Sequence, residues 1–311
     1  MNEFPKVSVI IPTFNHGHYI KKAIDSLLNQ TYKDFETIII DDGSRDNTKD
    51  IVASYGNVVR YIYQENKGLP HARNTGIAAA RGIYVAFLDA DDYFEEKNLE
   101  KKVSFLETHS NIDWVFSDWD YIDEDGNFIE RGSIKWHYSE KVFGDKLFEE
   151  LVMHRNFISP CTVIIKKSTL KAVEYFDTDV ICQEDWDLWL RLSLNHPSHF
   201  INEVLVHVVV HPDSLSKNFS KWAYGNYLIV EKLSHIIPQS FPDRNKVIVR
   251  LQADKYTFLA RDFIQKGEMA KAVITLLRSI HKLPFQKKVY WLLLSTIIEG
   301  IRKRFKAILI R

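Results

Sequence analysis

Short apolar runs rich in β-branched residues mark the first third of the chain: Val7 to Ile11, Thr37 to Ile40, Val58 to Tyr63 and Tyr84 to Leu88. The first two end in Pro, Asp or Gly, as strands of a buried parallel sheet do. Between these runs the period changes. Tyr19 to Leu28 carries Ile20, Ala23, Ile24, Leu27 and Leu28 at helical spacing, and Thr48 to Tyr55 repeats the pattern over a shorter length. Pro70 suits the first turn of a further helix running to about Arg81, with Gly82 as its stop. Strands alternating with helices predict a parallel sheet with helices on both faces.

From about Asn111 the order changes. Ile112 to Phe116 reads as a strand, and Asp125-Gly126 as a turn between Tyr121-Ile122 and Phe128-Ile129, so antiparallel pieces join the sheet. Phe143 to Met153 and Trp186 to Leu194 read as helices, Thr162 to Ile165 and Phe200 to Val210 as strands. After about Phe219 the pattern is helical to the end, with breaks at Pro238, Pro242 and Pro284. The expected class is α/β: a mixed sheet flanked by helices over residues 1–218 and a helical extension over 219–311. Within the extension, Tyr256 to Ile264 and Ala270 to Ile280 flank Lys266-Gly267 as a helical hairpin would. Val289 to Ile298 is mostly apolar but too short for a span of about twenty residues. It leads into Arg302, Lys303, Arg304 and Lys306 interleaved with Phe305, Ile308 and Leu309. This segment fits a packed terminal helix with solvated charges, or a peripheral contact at the inner face of a membrane.

Composition narrows the class without deciding the function. Apolar residues make up 45% and charged residues 26%, the balance of a soluble globular protein. Lys plus Arg and Asp plus Glu number 41 each, so no global field draws in nucleic acid, and none is expected as a partner. Cys161 and Cys182 lack the spacing of a metal site or redox pair, and are expected to be buried thiols in a reducing compartment. No apolar stretch of signal-peptide length precedes Val7, and a cytoplasmic location is expected.

The candidate chemistry lies where strands end. In a parallel sheet the C-terminal ends share one edge, and ligands bind in the crevice there. The first strand runs into Pro12-Thr13-Phe14-Asn15, the second into Asp41-Asp42-Gly43-Ser44, and the fourth into Asp89-Ala90-Asp91-Asp92. Carboxylates crowded into one cleft raise each other's pKa unless a cation or a donor compensates. Asp89 and Asp91 suit Mn²⁺ or Mg²⁺, which prefer oxygen ligands; Mg²⁺ commonly takes one or two protein carboxylates plus substrate phosphates. The same residues suit helix caps and solvated loops, and their spacing leaves both readings open.

Five ordered runs go further: residues 7–15 (VSVIIPTFN), 41–44 (DDGS), 66–76 (NKGLPHARNTG), 87–92 (FLDADD) and 183–192 (QEDWDLWLRL). Together they closely resemble glycosyltransferase family 2, whose members use the GT-A fold, a Rossmann-like mixed sheet. The resemblance covers about Lys6 to Ser216. It implies inverting, metal-dependent transfer of a sugar from a nucleoside-diphosphate donor, UDP in particular, to a hydroxyl of a glycan or lipid-linked acceptor. Cell-surface polysaccharide or glycoconjugate biosynthesis is the implied setting.

By the same resemblance Pro12, Thr13, Phe14 and Asp42 line the base and ribose pocket, with Asp41 supporting that loop or sharing the contact. Asn66, Gly68, Arg73 and Asn74 lead into the next helix. There Gly68 permits close backbone approach, and Arg73 either donates to phosphate or ribose oxygens or pairs with a loop carboxylate. Asp91 corresponds to the principal metal ligand and Asp89 to the first acid of the DXD motif around Ala90. Glu184 and Asp185 correspond to the acidic pair near the acceptor, with Asp185 as general base. Trp186 is expected at the sugar or acceptor site, and His211 near the metal or phosphates. The multiple membrane-spanning helices and Gln-x-x-Arg-Trp motif of processive synthases are absent from the sequence, which favours single-sugar transfer.

Two rivals remain. A sugar-1-phosphate nucleotidyltransferase would want a Gly-rich turn after the first strand, where Thr13 to Gly17 holds a single Gly. A non-catalytic nucleotide-sugar-binding protein on the same fold is the other, and the presence of both Asp91 and Asp185 speaks against it.

Overall fold

Val7–Thr13 forms β1, whose seven residues are all buried, as befits a strand covered on both faces. It pairs in parallel with β2 (Phe35–Asp41) on one side and β4 (Tyr84–Phe87) on the other, while β3 (Arg60–Tyr63) continues the parallel set beyond β2. Helices α1 (Gly17–Leu28), α2 (Thr48–Ala53) and α3 (Leu69–Ala79) make the crossovers. The computed structural model describes residues 4–132, 146–180, 182–211 and 219–309, with side chains described as far as Arg302.

The remaining described strands are β5 (Tyr93–Phe94), β6 (Trp114–Ile122), β7 (Phe128–Arg131), β8 (Val163–Lys166) and β9 (Ser198–Val209). β8 joins β4 and β6 antiparallel, β9 lies parallel to β6, and β5 pairs antiparallel with β9. The order is β3-β2-β1-β4-β8-β6-β9-β5, with β7 hairpinned onto β6. This is the mixed sheet expected. Helices α4 (Asn98–Thr108), α5 (Leu147–His154), α6 (Lys167–Ala172) and α7 (Glu184–Ser193) complete this part. Around α7, the Trp114 and Trp189 rings stack at 5.6 Å, both without solvent exposure.

Several local expectations are corrected. Gly82 is not the stop of α3, which ends at Ala79 with an extended cap at Ala80. A Cβ on Gly82 would lie 2.6 Å from the Ser8 backbone nitrogen, so its smallness serves the approach to β1. β3 begins at Arg60 rather than Val58, because Gly56–Val58 forms a 3₁₀ turn. β6 begins at Trp114, since the Ile112 amide donates to the His109 carbonyl in a turn. Helix α4 was not anticipated because Lys102 stands on its buried face with Leu99, Val103 and Leu106, which breaks the apolar period. Residues 143–145 of the expected helix from Phe143 lie outside the described residues, as do Met1 to Glu3.

The chain divides into two compact units: Met1–Asp179 with Glu184–Ser214, and Leu215–Arg311 with Val180–Gln183. The expected boundary at 218/219 borders residues 212–218, which lie outside the described residues, as does the end of the expected motif from His211 to Ser216. The second unit contains α8 (Phe219–Ile236), α9 (Arg244–Gln265), α10 (Met269–Lys282) and α11 (Lys287–Leu309), and the three prolines fall between helices. Ala260, Leu276 and Val289 form a core there, with Ile280, Leu292 and Leu293 packed against it. Among the described residues no helix is long and apolar enough to cross a membrane.

Candidate active site

The parallel register sets Thr13 beside Asp41 at the C-terminal ends of β1 and β2, two residues beyond the apolar run expected for β1 and one beyond that expected for β2. Asp41 accepts from the Ser44 amide at 2.7 Å and the Tyr61 hydroxyl at 2.5 Å, which makes it a support of the loop. Asp42 is buried and accepts from Gln64 Nε2 (2.6 Å) and from the amides of Lys67 (2.9 Å) and Gly68 (2.8 Å). It thereby shapes the segment entering α3. Gly68, at φ +93°, caps that helix in a conformation that favours glycine. Pro12 is buried, whereas Phe14 and Asn66 are exposed at the rim. Thr13 Oγ1 is buried and has no hydrogen-bond partner among the described residues, a polar atom left open beside Asp42.

The fourth strand leads into the second group. Arg73, on α3 and 1% exposed, reaches Asp89 Oδ1 through Nη2 (2.9 Å) and Glu184 Oε1 through Nη1 (2.5 Å). Of the two roles open to Arg73, the structure shows the carboxylate pairing. Asn74 is likewise occupied, exchanging hydrogen bonds with the Phe176 backbone. On the other side His211, which follows β9 and is 1% exposed, meets Asp91 Oδ2 through Nε2 at 2.8 Å. Asp89, Asp91, Arg73, His211 and Glu184 thus come together from four separate stretches of chain.

Asp185 opens α7 beside Glu184. Its Oδ1 accepts from the Trp186 amide (2.8 Å) and its Oδ2 from Asn156 Nδ2 (2.7 Å). Burial first, then the neighbouring Glu184 charge, push its carboxyl up to about 7, against the opposing pull of Arg73. Asn156 escaped the sequence reading, since it lies 29 residues from Asp185 and belongs to no motif. Arg155, at φ +69°, turns the chain just before it. Trp186 is corrected: it has no exposed surface, and Nε1 donates to the Leu151 carbonyl at 3.1 Å, so it belongs to the core rather than a pocket wall.

Beneath the Asp89 loop lies an unforeseen contact. Cys161 Sγ donates to Asp92 Oδ2 and accepts from the Asp89 amide, both at 3.2 Å, and Asp92 Oδ1 accepts from the Val209 amide. Cys182, expected to be buried, is partly exposed. Donor atoms of Asp89, Asp92 and Cys161 lie within 4.8 Å of one another. A thiol is a poor ligand for a hard cation, and burial with the charges of Asp91 and Asp89 pushes the Asp92 carboxyl well above the usual range, towards its neutral form. This trio is therefore a prop under the loop. Asp89 and Asp91 keep 29% and 18% of their side chains exposed, so these two carboxylates, oxygen donors of the kind Mn²⁺ and Mg²⁺ prefer, are the residues that could hold a divalent ion.

The Arg73 bridge carries a stability prediction. Arg73→Met leaves Glu184 buried without its cation and should cost about 3–5 kcal/mol, the usual penalty for breaking a buried pair. Urea unfolding measures it; a variant as stable as the parent would show that the bridge contributes nothing.

The model of glycosyl transferase family 2 matches residues 8–174. An uncharacterized glycosyltransferase of Rickettsia conorii is 27% identical over 98% of this chain and 52% of its own length, so the chain spans about half of that relative. Among solved structures, S. aureus TarS 1-349 in complex with UDP-GlcNAc superposes with a TM-score of 0.68 at 20% identity, covering 96% of this chain and 88% of that one. The Pyrobaculum calidifontis mannosyltransferase with GDP-Man and Mn²⁺ gives 0.57 at 18% identity, over 98% and 83%. At such identities the two structures establish the shared GT-A-like fold.

Proposed function

The chain belongs to glycosyl transferase family 2, and from that premise we propose that it moves a single sugar, with inversion, from a UDP-sugar to an acceptor hydroxyl. The observation that carries the reading is the Arg73 bridge. It ties Asp89, on the donor side, to Glu184, the immediate neighbour of the base candidate Asp185, so both halves of a displacement share one network. We take residues 1–218 as the transferase unit, 219–311 as its helical extension, and a glycan or lipid-linked molecule as the acceptor. The reaction is assigned to the cytoplasm, and cell-surface glycan synthesis is the setting this acceptor class suits.

Each residue then has a task. Thr13 Oγ1, the Asp42 loop and the rim residues Phe14 and Asn66 receive the nucleoside. Asp91 and Asp89 hold Mn²⁺ or Mg²⁺, which when bound supplies positive charge to the departing diphosphate. His211 steadies Asp91 through Nε2, and Arg73 steadies Asp89 and Glu184. Asp185 takes the proton from the acceptor oxygen as that oxygen attacks the anomeric carbon from the face opposite the leaving group. Asn156 fixes the direction of its carboxylate.

The test is turnover. Purified protein is offered a panel of nucleotide sugars with candidate acceptors, and products are resolved. Released nucleoside diphosphate with an inverted anomeric centre is the expected result. Pyrophosphate released in a parallel incubation with a nucleoside triphosphate and a sugar-1-phosphate would identify a nucleotidyltransferase, donor binding without turnover a binding protein, and retained configuration would reject direct displacement.

A further inference from the structure

Helix α11 is apolar on two opposite faces. Val289, Leu292, Leu293 and Thr296 turn inward, the first three onto the core made with Ala260 and Leu276. Tyr290, Leu294, Ile297 and Ile301, at spacings of three and four, turn outward with Trp291 and Ile298 beside them, all exposed and Trp291 to 73%. Phe285, in the preceding turn, is 97% exposed. Helix α10 repeats the design with Ile274 and Leu277 exposed. A face of this extent left in water marks an interaction surface.

Charge decides among occupants. Arg302 and Lys287 are exposed at the margins of the α11 face, and Lys288, Arg278 and Lys282 are exposed on the same pair of helices. Glu299 is the single carboxylate in the sequence of α11. A two-fold interface between copies would bring like cations together, because the same patch meets itself. An anionic bilayer complements them, and tryptophan and tyrosine favour the headgroup level. Since no described helix is long and apolar enough to cross a membrane, the face suits lying on a bilayer. We propose that the outward face of α11, extended by Phe285 and α10, docks the protein on anionic lipid, with Trp291 and Leu294 at the acyl boundary and Lys287 and Arg302 against headgroups.

The full chain is sedimented with vesicles of phosphatidylcholine, with and without phosphatidylglycerol. Co-pelleting with the anionic vesicles, release as salt rises, and little pelleting with the neutral ones are expected. W291E/L294E should bind at least tenfold more weakly. Lys287→Glu and Arg302→Glu should each weaken binding about fivefold or more, in line with the contribution of one cation near an anionic surface. All three alter exposed positions, and circular dichroism checks that helix content is retained. No pelleting, or equal pelleting by W291E/L294E, overturns the proposal. So does a concentration-dependent dimer that W291E/L294E dissolves, which would make a second copy the occupant.

Discussion

Asp91→Asn is expected to abolish sugar transfer while the protein stays folded. The amide keeps the shape of the side chain and its reach to His211 Nε2, 2.8 Å away in the parent, but gives up the charge that holds a divalent ion. The loss should be several kcal/mol of transition-state stabilisation, about 10³-fold or more in rate. Stability should not suffer. Asp91 is one of the charges that push the buried Asp92 carboxyl upward, and removing it relieves that repulsion. Asp89→Ala should damage activity less uniformly, since Asp89 also anchors Arg73 and its loss combines two effects. The measurements are kcat/KM in Mn²⁺-replete buffer and the melting temperature. Full activity of Asp91→Asn there, or full activity of the parent in excess chelator, would remove the metal from the proposal.

The legible parts of this molecule share a physical cause. β1, β2 and β4 announced themselves because strands buried on both faces read as short apolar runs, and the acids at the ends of β2 and β4 stood out against that background. What could not be read were the pairings across the chain. Arg73 lies 111 residues from Glu184, and nothing local distinguishes an arginine that reaches a phosphate from one that neutralises two carboxylates. Cys161 lies 72 residues from Asp89 and is brought under it by β8, which pairs antiparallel with β4. Trp186 shows the opposite failure, since a usable signal was present. With Trp189 and Leu190 it makes an i, i+3, i+4 apolar stripe, the mark of a buried helix face, and its indole N–H needed only the nearby Leu151 carbonyl. Lys102 is the reverse case, because a charged residue on the buried face of α4 breaks the period on which the reading rests.

Asp185→Asn is expected to slow transfer by about 10²- to 10⁴-fold with donor affinity retained, the usual consequence of losing a general base. The carboxyl sits at about 7, so in the parent the ionised fraction, and with it the rate, should climb as pH rises through that value. Asn156→Ala refines the test: without its hydrogen bond to Oδ2 the ionised form is less favoured, the limb should move to higher pH, and much of the rate should return there. A variant damaged only structurally would lose rate equally at every pH. Linkage gives a second, independent reading. A carboxyl whose folded pKa lies above its unfolded value of about 3.9 contributes stability that fades as pH rises through that interval and is gone above about 7. Asp185→Asn cannot ionise, so above pH 7 it should melt no lower than the parent, and higher if the charge is as costly to bury as its surroundings imply. The site would then be held against the interest of stability, as a base raised towards neutrality by burial and by Glu184 requires. Loss of donor affinity at unchanged kcat, or a pH profile flat between 6 and 8, would take the base role away from Asp185.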